Sequence, residues 1–181
     1  MIEIADRLHI GDQHDYECDV SMQRNSSPLW SIVQACKEPY HRMALGYVGR
    51  GAPKDHPEYQ IAVRGNRMIL NLVDTPDPKY ISAKIIDRAL VFTRRALAEG
   101  RRVLVHYNQG MSRSATIGLL YMATQGYYNG MDFADAEIAF LERYPLYNPG
   151  SGMRGFADAN WERYNPIGGV NHVAREKTTE G

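Results

Sequence analysis

Apolar residues in this chain fall in short dense runs, separated by polar stretches rich in glycine and proline. Leu8-His9-Ile10-Gly11, Leu29 to Cys36, Met68 to Val73 and Arg102 to Val105 are brief, rich in branched residues and bounded by turn formers. Such runs predict buried strands. Elsewhere the period lengthens. Ile81, Ile85, Ala89, Phe92 and Ala96 recur at helical spacing, so 82–98 is a predicted amphipathic helix stopped by Gly100. Ala115 to Met122 is apolar almost throughout and predicts a helix starting near Arg113. Asp132-Phe133-Ala134-Asp135 opens another through Tyr144 with a capping-box-like start, and Phe156 and Trp161 anchor a further helix. Residues 12–28 read as irregular. Residues 37–67 read as one long loop, punctuated by Pro39, Gly46, Gly49, Gly51, Pro53 and Pro57.

Strands alternating with helices predict an α/β fold, with a parallel-rich central sheet flanked by helices. The expected organisation is a single domain over 1–165 and a polar C-terminal tail over 166–181. Ligands in such sheets bind beyond the carboxyl ends of the strands. Asp74, read as directly ending the strand 68–73, and Tyr107, after the strand 102–105, are both expected there.

The stretch Val103-Leu104-Val105-His106-Tyr107-Asn108-Gln109-Gly110-Met111-Ser112-Arg113-Ser114 carries the candidate chemistry. A buried strand runs into a glycine-containing turn and then into a helix N-terminus. That layout aims backbone N–H groups at one point, where an anion sits. Arg113 adds a planar fork of donors that matches two phosphate oxygens. Ser114 is placed to hydrogen-bond back to the residue at 107.

These residues resemble the signature of the protein tyrosine phosphatase superfamily, His-Cys-x5-Arg-Ser/Thr, in its dual-specificity branch. His106, Gly110, Arg113 and Ser114 match it. The nucleophilic cysteine falls on Tyr107. The resemblance implies a phosphate-binding loop of His106, Asn108, Gln109, Gly110, Met111 and Ser112, with Arg113 binding the phosphate. It also implies a general acid on an upstream loop, for which Asp74 and Asp77 have similar spacing; Asp74 is favoured, and the plain alternative is that both serve turns and caps. His106 is expected to accept loop hydrogen bonds. A family thiolate attacks phosphorus, its pKa lowered by loop amides and the helix end. A phenol has a reference pKa near ~10 and a longer reach, so Tyr107 is expected to plug the pocket with its hydroxyl near Arg113 or the upstream acid. The stretch Cys36-Lys37-Glu38-Pro39 and the ending Tyr144-Pro145-Leu146-Tyr147-Asn148-Pro149-Gly150 are similar to bacterial and phage members.

Three functions follow from that reading. One is a pseudophosphatase, a binding or structural module without thiol chemistry. Another is a dual-specificity phosphatase whose cysteine has been replaced. The last is a phosphotransfer protein with Tyr107 as nucleophile. The expected partners are a protein bound through surfaces outside the loop, or a phosphate-bearing ligand.

Composition narrows the setting. Lys and Arg number 21 and so do Asp and Glu, giving formal net charge zero, so neither nucleic acid nor a membrane surface is an expected partner. Two cysteines, Cys18 and Cys36, do not make a disulfide scaffold and suit a reducing cytoplasm, or a phage component if virus-encoded. The N-terminus has no basic-then-apolar pattern, so no secretory leader is expected. No run approaches the roughly 20 apolar residues of a membrane span. No cofactor and no metal is expected, since His9 and His14 lie on a strand end rather than a helix. Lys37 or Arg42 is placed to reach an anion. Cys36 with His41 is a weak nucleophile pair, and a buried cysteine closing a strand is the better reading. The tyrosines read as core and surface fillers, with Tyr80, Tyr121 and Tyr144 on apolar helix faces or ends.

Overall fold

A computed structural model describes residues 1–23 and 29–166. Six strands among them form one mixed sheet: β1 (Ile2–Ala5), β2 (Leu8–Gly11), β3 (Trp30–Gln34), β4 (Ile61–Arg64), β5 (Arg67–Leu70) and β6 (Arg102–His106). Their order is β1-β2-β6-β3-β5-β4. The inner pairs β2–β6, β6–β3 and β3–β5 are parallel, and the outer pairs β1–β2 and β5–β4 antiparallel. The helices are α1 (Arg42–Leu45), α2 (Ala83–Ala98), α3 (Arg113–Thr124), α4 (Phe133–Arg143), α5 (Ser151–Ala159) and α6 (Trp161–Tyr164). The fold is α/β, with a parallel-rich sheet flanked by helices.

The central strands explain the dense apolar runs. All five residues of β3 are buried, as are Val103 to His106 of β6, because a strand with neighbours on both edges and layers on both faces meets no water. α3 is buried from Ser114 to Ala123, which is why its sequence is apolar around nearly the whole circumference. α2 and α3 pack against β6 and each other. α4 begins at Asp132, whose carboxylate accepts the Asp135 N–H at 2.9 Å, a side-chain N-cap.

Several sequence expectations need correction. The stretch 37–67 is not one loop. It holds a helical turn over Lys37–His41, then α1, β4 and the start of β5. β4 and β5 form a hairpin whose Gly65-Asn66 turn has Gly65 at φ +62°. Four residues are too few to show a period, and the surrounding glycines and prolines masked the strand. β1 (Ile2–Ala5) is likewise too short to show a period. The strand expected over 68–73 ends at Leu70, so Asp74 does not directly end it. Residues 15–23 of the supposedly irregular 12–28 are helical turns. The last helical segment is two helices, α5 and α6, meeting at Asn160. Nearly all of the tail expected over 166–181 lies outside the described residues.

Candidate functional site

The loop Tyr107–Ser112 leaves the carboxyl end of β6 and enters α3 at Arg113. Its shape requires a glycine. Gly110 sits at φ +78°, and a Cβ there would meet the Gly11 carbonyl oxygen and the Tyr144 hydroxyl, both at 3.2 Å. Tyr144 donates to the Gly110 carbonyl at 3.1 Å and Ser114 Oγ donates to the same oxygen at 3.0 Å. The Ser114 hydroxyl therefore closes the loop onto its own helix. It does not reach back to Tyr107, because α3 aims it at the carbonyl one turn earlier.

Tyr107 is buried, 2% exposed. Its phenol oxygen accepts the Ser112 N–H at 3.0 Å. The Arg113 guanidinium covers the ring at 4.3 Å from its centroid. Burial pushes the phenol pKa up, against the lowering influence of the Ser112 amide and Arg113, so the hydroxyl stays protonated at neutral pH. An amide that faces a loop centre is thus occupied by an oxygen of the chain itself.

Arg113 is held from two sides. Its Nη1 donates to the Leu72 carbonyl at 3.0 Å, and its Nε lies 3.0 Å from the Asp74 carboxylate. The Nε contact is a charge pair rather than an aligned hydrogen bond. Asp74 is half exposed and also accepts from Ser112 Oγ at 3.3 Å. Ser112 Oγ in turn accepts from the Gly150 N–H at 3.1 Å. Asn148 N–H donates to the Met111 carbonyl at 3.0 Å, so the segment before α5 braces the loop. Gly152 lets α5 approach: a Cβ there would lie 1.8 Å from the Thr75 carbonyl oxygen. Asp77 is used differently. It caps a helical turn by accepting the Lys79 N–H at 3.1 Å and pairs with the Lys79 ammonium at 2.6 Å. The structure therefore brings Asp74 to Tyr107 and Arg113, and gives Asp77 a local capping role. Asn108 and Gln109 are exposed at the loop's crest, and Met111 is half-buried.

His106 does not accept loop hydrogen bonds. Neither ring nitrogen has a hydrogen-bond partner among the described residues. The ring stacks on Tyr16 at 4.6 Å and meets the edge of Tyr40 at 5.2 Å. Burial drives its pKa down to about 3, so it is a neutral ring in an aromatic stack. The other anion candidates are engaged elsewhere. Arg42 pairs with Glu38 at 2.7 Å and also donates to the Tyr47 and Gly49 carbonyls; Lys37 Nζ donates to the Arg50 carbonyl. Cys36 and His41 do not pair, since the His41 ring meets the Tyr47 hydroxyl and the Glu58 carbonyl. Burial pushes the Cys36 thiol up to about 12. Tyr80 does not pack on an apolar helix face, at 69% exposure.

Tyr144, Gly150 and Gly152 support the loop and are not among the residues its sequence motif marks. Tyr144-Pro145 and Pro149-Gly150 were visible as a pattern, but only the fold puts that pattern against Gly110 and Ser112.

The sequence matches no family model and no curated protein. Solved structures match along most of the chain. The crystal structure of DUSP15 superposes with a TM-score of 0.59 at 20% identity, covering 88% of this chain and 86% of that one. The human tyrosine phosphatase-like serine/threonine/tyrosine-interacting protein gives 0.57 at 21%, covering 90% and 95%. The Orf virus tyrosine phosphatase OH1 gives 0.53 at 14%, covering 91% and 86%. This chain has the dual-specificity phosphatase fold. At such identities the likeness carries the architecture and not the chemistry, which rests on the loop described above.

Proposed function

We propose that the chain is a pseudophosphatase, a phosphatase fold used as a binding or structural module. The observation that carries this reading is the seat of Tyr107. Its oxygen holds the Ser112 amide and its ring lies under Arg113, so both groups that would clamp a phosphate already have partners. Cys36 supports the same reading, because a thiol pushed up to about 12 is not a thiolate at neutral pH. The buried, protonated phenol is a poor nucleophile, which speaks against phosphotransfer through Tyr107. The human neighbour described as tyrosine phosphatase-like and interacting makes a module on this fold a reasonable analogue. A reducing setting, in a bacterial cell or as a phage component, belongs to the same proposal and is supported by the free Cys18 and Cys36. Among the described residues no helix is long and apolar enough to cross a membrane.

Lifting the ring out would cost its apolar burial and its contact with Arg113, together about 2–5 kcal/mol. Calorimetric titration with vanadate tests the reading. The wild-type chain should bind at least about tenfold more weakly than Tyr107→Ala, and should not hydrolyse p-nitrophenyl phosphate above background. Equal or tighter vanadate binding by the wild type, or turnover, overturns the proposal.

A second reading, a dual-specificity phosphatase whose cysteine has been replaced, is favoured by one observation. Asp74 and Arg113 remain paired 3.0 Å apart over the loop.

A further inference from the structure

On the far edge of the sheet, a groove runs between α2 and the β4–β5 hairpin. Two adjoining cavities form it, one of about 970 Å³ and the other of about 560 Å³. They share Val63 and Arg88. No residue of the Tyr107 loop lines either. Cations outnumber carboxylates. Lys54, Lys84, Arg88 and Arg163 line the larger cavity with Asp87, which pairs with Arg163, and Arg95 and Arg101 line the smaller with Glu99, which pairs with both. In a chain of zero net charge, that is a local concentration of positive charge. Lys54 and Lys84 are exposed. Between the cations lies apolar surface from Ile61, from Val63 at 47% exposure and from Phe92.

We propose that this groove docks an acidic peptide segment of a partner protein, one in which carboxylates alternate with apolar side chains. Charge complementarity picks the acidic residues, and the Ile61, Val63 and Phe92 surface picks the apolar ones. An extended peptide presents the two kinds on opposite sides with period two, matching Lys84 and Arg88 on α2 and Ile61 and Val63 on β4. Addition of the peptide as a seventh strand is disfavoured. The Val63 carbonyl already accepts Arg64 Nη1 at 2.8 Å, and Arg64 is held by Glu58 at 2.6 Å, a guard on the sheet edge of the kind that limits strand pairing. Recognition is therefore by side chains. Nucleic acid is the less suitable occupant, because a continuous phosphate backbone offers no apolar side chains to the Ile61, Val63 and Phe92 surface.

The inference identifies the partner class for the module reading, but its test does not touch the loop. A fluorescein-labelled peptide of alternating glutamate and leucine is titrated with the full chain, followed by anisotropy at low salt. The wild type should bind saturably, and Lys54→Glu with Lys84→Glu should weaken binding by about tenfold or more, as expected when rim charges that steer and hold an anion are reversed. Lys84→Arg should keep the affinity, and Tyr107→Ala should bind the peptide as the wild type does. Thermal melts of the charge-reversed variant should match the wild type, since both lysines are exposed. No binding by the wild type, unchanged affinity in the charge-reversed variant, equal binding of a lysine–leucine peptide, or tighter binding of single-stranded oligothymidylate would each overturn the proposal. Phosphatase turnover by the wild type would sink the module reading and leave this result standing.

Discussion

Two buried side chains follow neighbouring strands at the same end of the sheet, and they divide between them what one active residue would need. Cys36 follows β3 and Tyr107 follows β6. The strands are parallel in register, with Gln34 opposite His106 and the Ala35 N–H donating to the His106 carbonyl at 2.7 Å. Cys36 has the right atom and the wrong surroundings. It is wholly buried, its thiol is pushed up by desolvation, and the charge of Arg113 only partly offsets that. Tyr107 has the right surroundings and the wrong atom. It sits at the mouth of a glycine-bent loop, with the Ser112 amide on its oxygen and Arg113 over its ring. Nucleophilicity depends on the pairing of an acidic enough group with donors aimed at it, and proximity of the two halves does not supply it.

The sharpest way to break this contrast is to move the thiol. Tyr107→Cys places a sulfur beneath loop amides and Arg113, and hydrolysis of p-nitrophenyl phosphate should rise about 10²-fold or more above the wild-type background, the scale of one preorganised element. A folded but inert variant would mean that the loop has drifted beyond rescue by one atom.

In that background Asp74→Asn should lower the rate by about 10²-fold, as loss of a general acid does. Asp77→Asn should lower it less, since Asp77 caps a turn and pairs with Lys79. The opposite ranking in steady-state assays would transfer the acid to Asp77.

The loop's shape is tested by Gly110→Ala. A positive φ costs a residue with a Cβ about 1–2 kcal/mol, and the new atom would press on Gly11 and Tyr144. Calorimetry should show a melting temperature lower by about 2–8 °C. An unchanged value would show that the loop relaxes freely.

Acid should destabilise the chain through its neutral histidines. Burial lowers the pKa of His9, His41 and His106, the last to about 3. The unfolded chain therefore takes up protons first as pH falls below about 6.5. Stability from His106 is complete above that pH and declines toward pH 3, by about 1.4 kcal/mol per pH unit at most for that group. Urea unfolding across pH 4–7 checks the sign, and His106→Phe should flatten the slope.

The smallest effect is expected of Cys36→Ala. In the Tyr107→Cys background it should leave hydrolysis unchanged, whereas a loss of rate would show that the second thiol takes part.

Much of this arrangement is readable in the chain alone. The runs at Leu8–Gly11, Leu29–Cys36 and Arg102–Val105 mark central strands because burial on both faces demands mostly apolar residues. The amphipathic pattern of 82–98 and the apolar run after Arg113 mark α2 and α3 by their period, and the bend at Gly110 uses a residue type that adopts its positive φ without steric cost. Those are local constraints, written where they act. The tertiary structure decided what no local pattern could. It brought Asp74 rather than Asp77 to Arg113, from beyond a strand that stops at Leu70. It set Tyr144 and Gly150 against a loop more than thirty residues upstream, turned Ser114 onto Gly110, and packed His106 between Tyr16 and Tyr40. It also paired Ile61–Arg64 into an edge strand too short to announce itself. Each of these depends on which distant groups satisfy a buried donor or fill a neighbouring space, and that is a property of the packed chain and not of any segment within it.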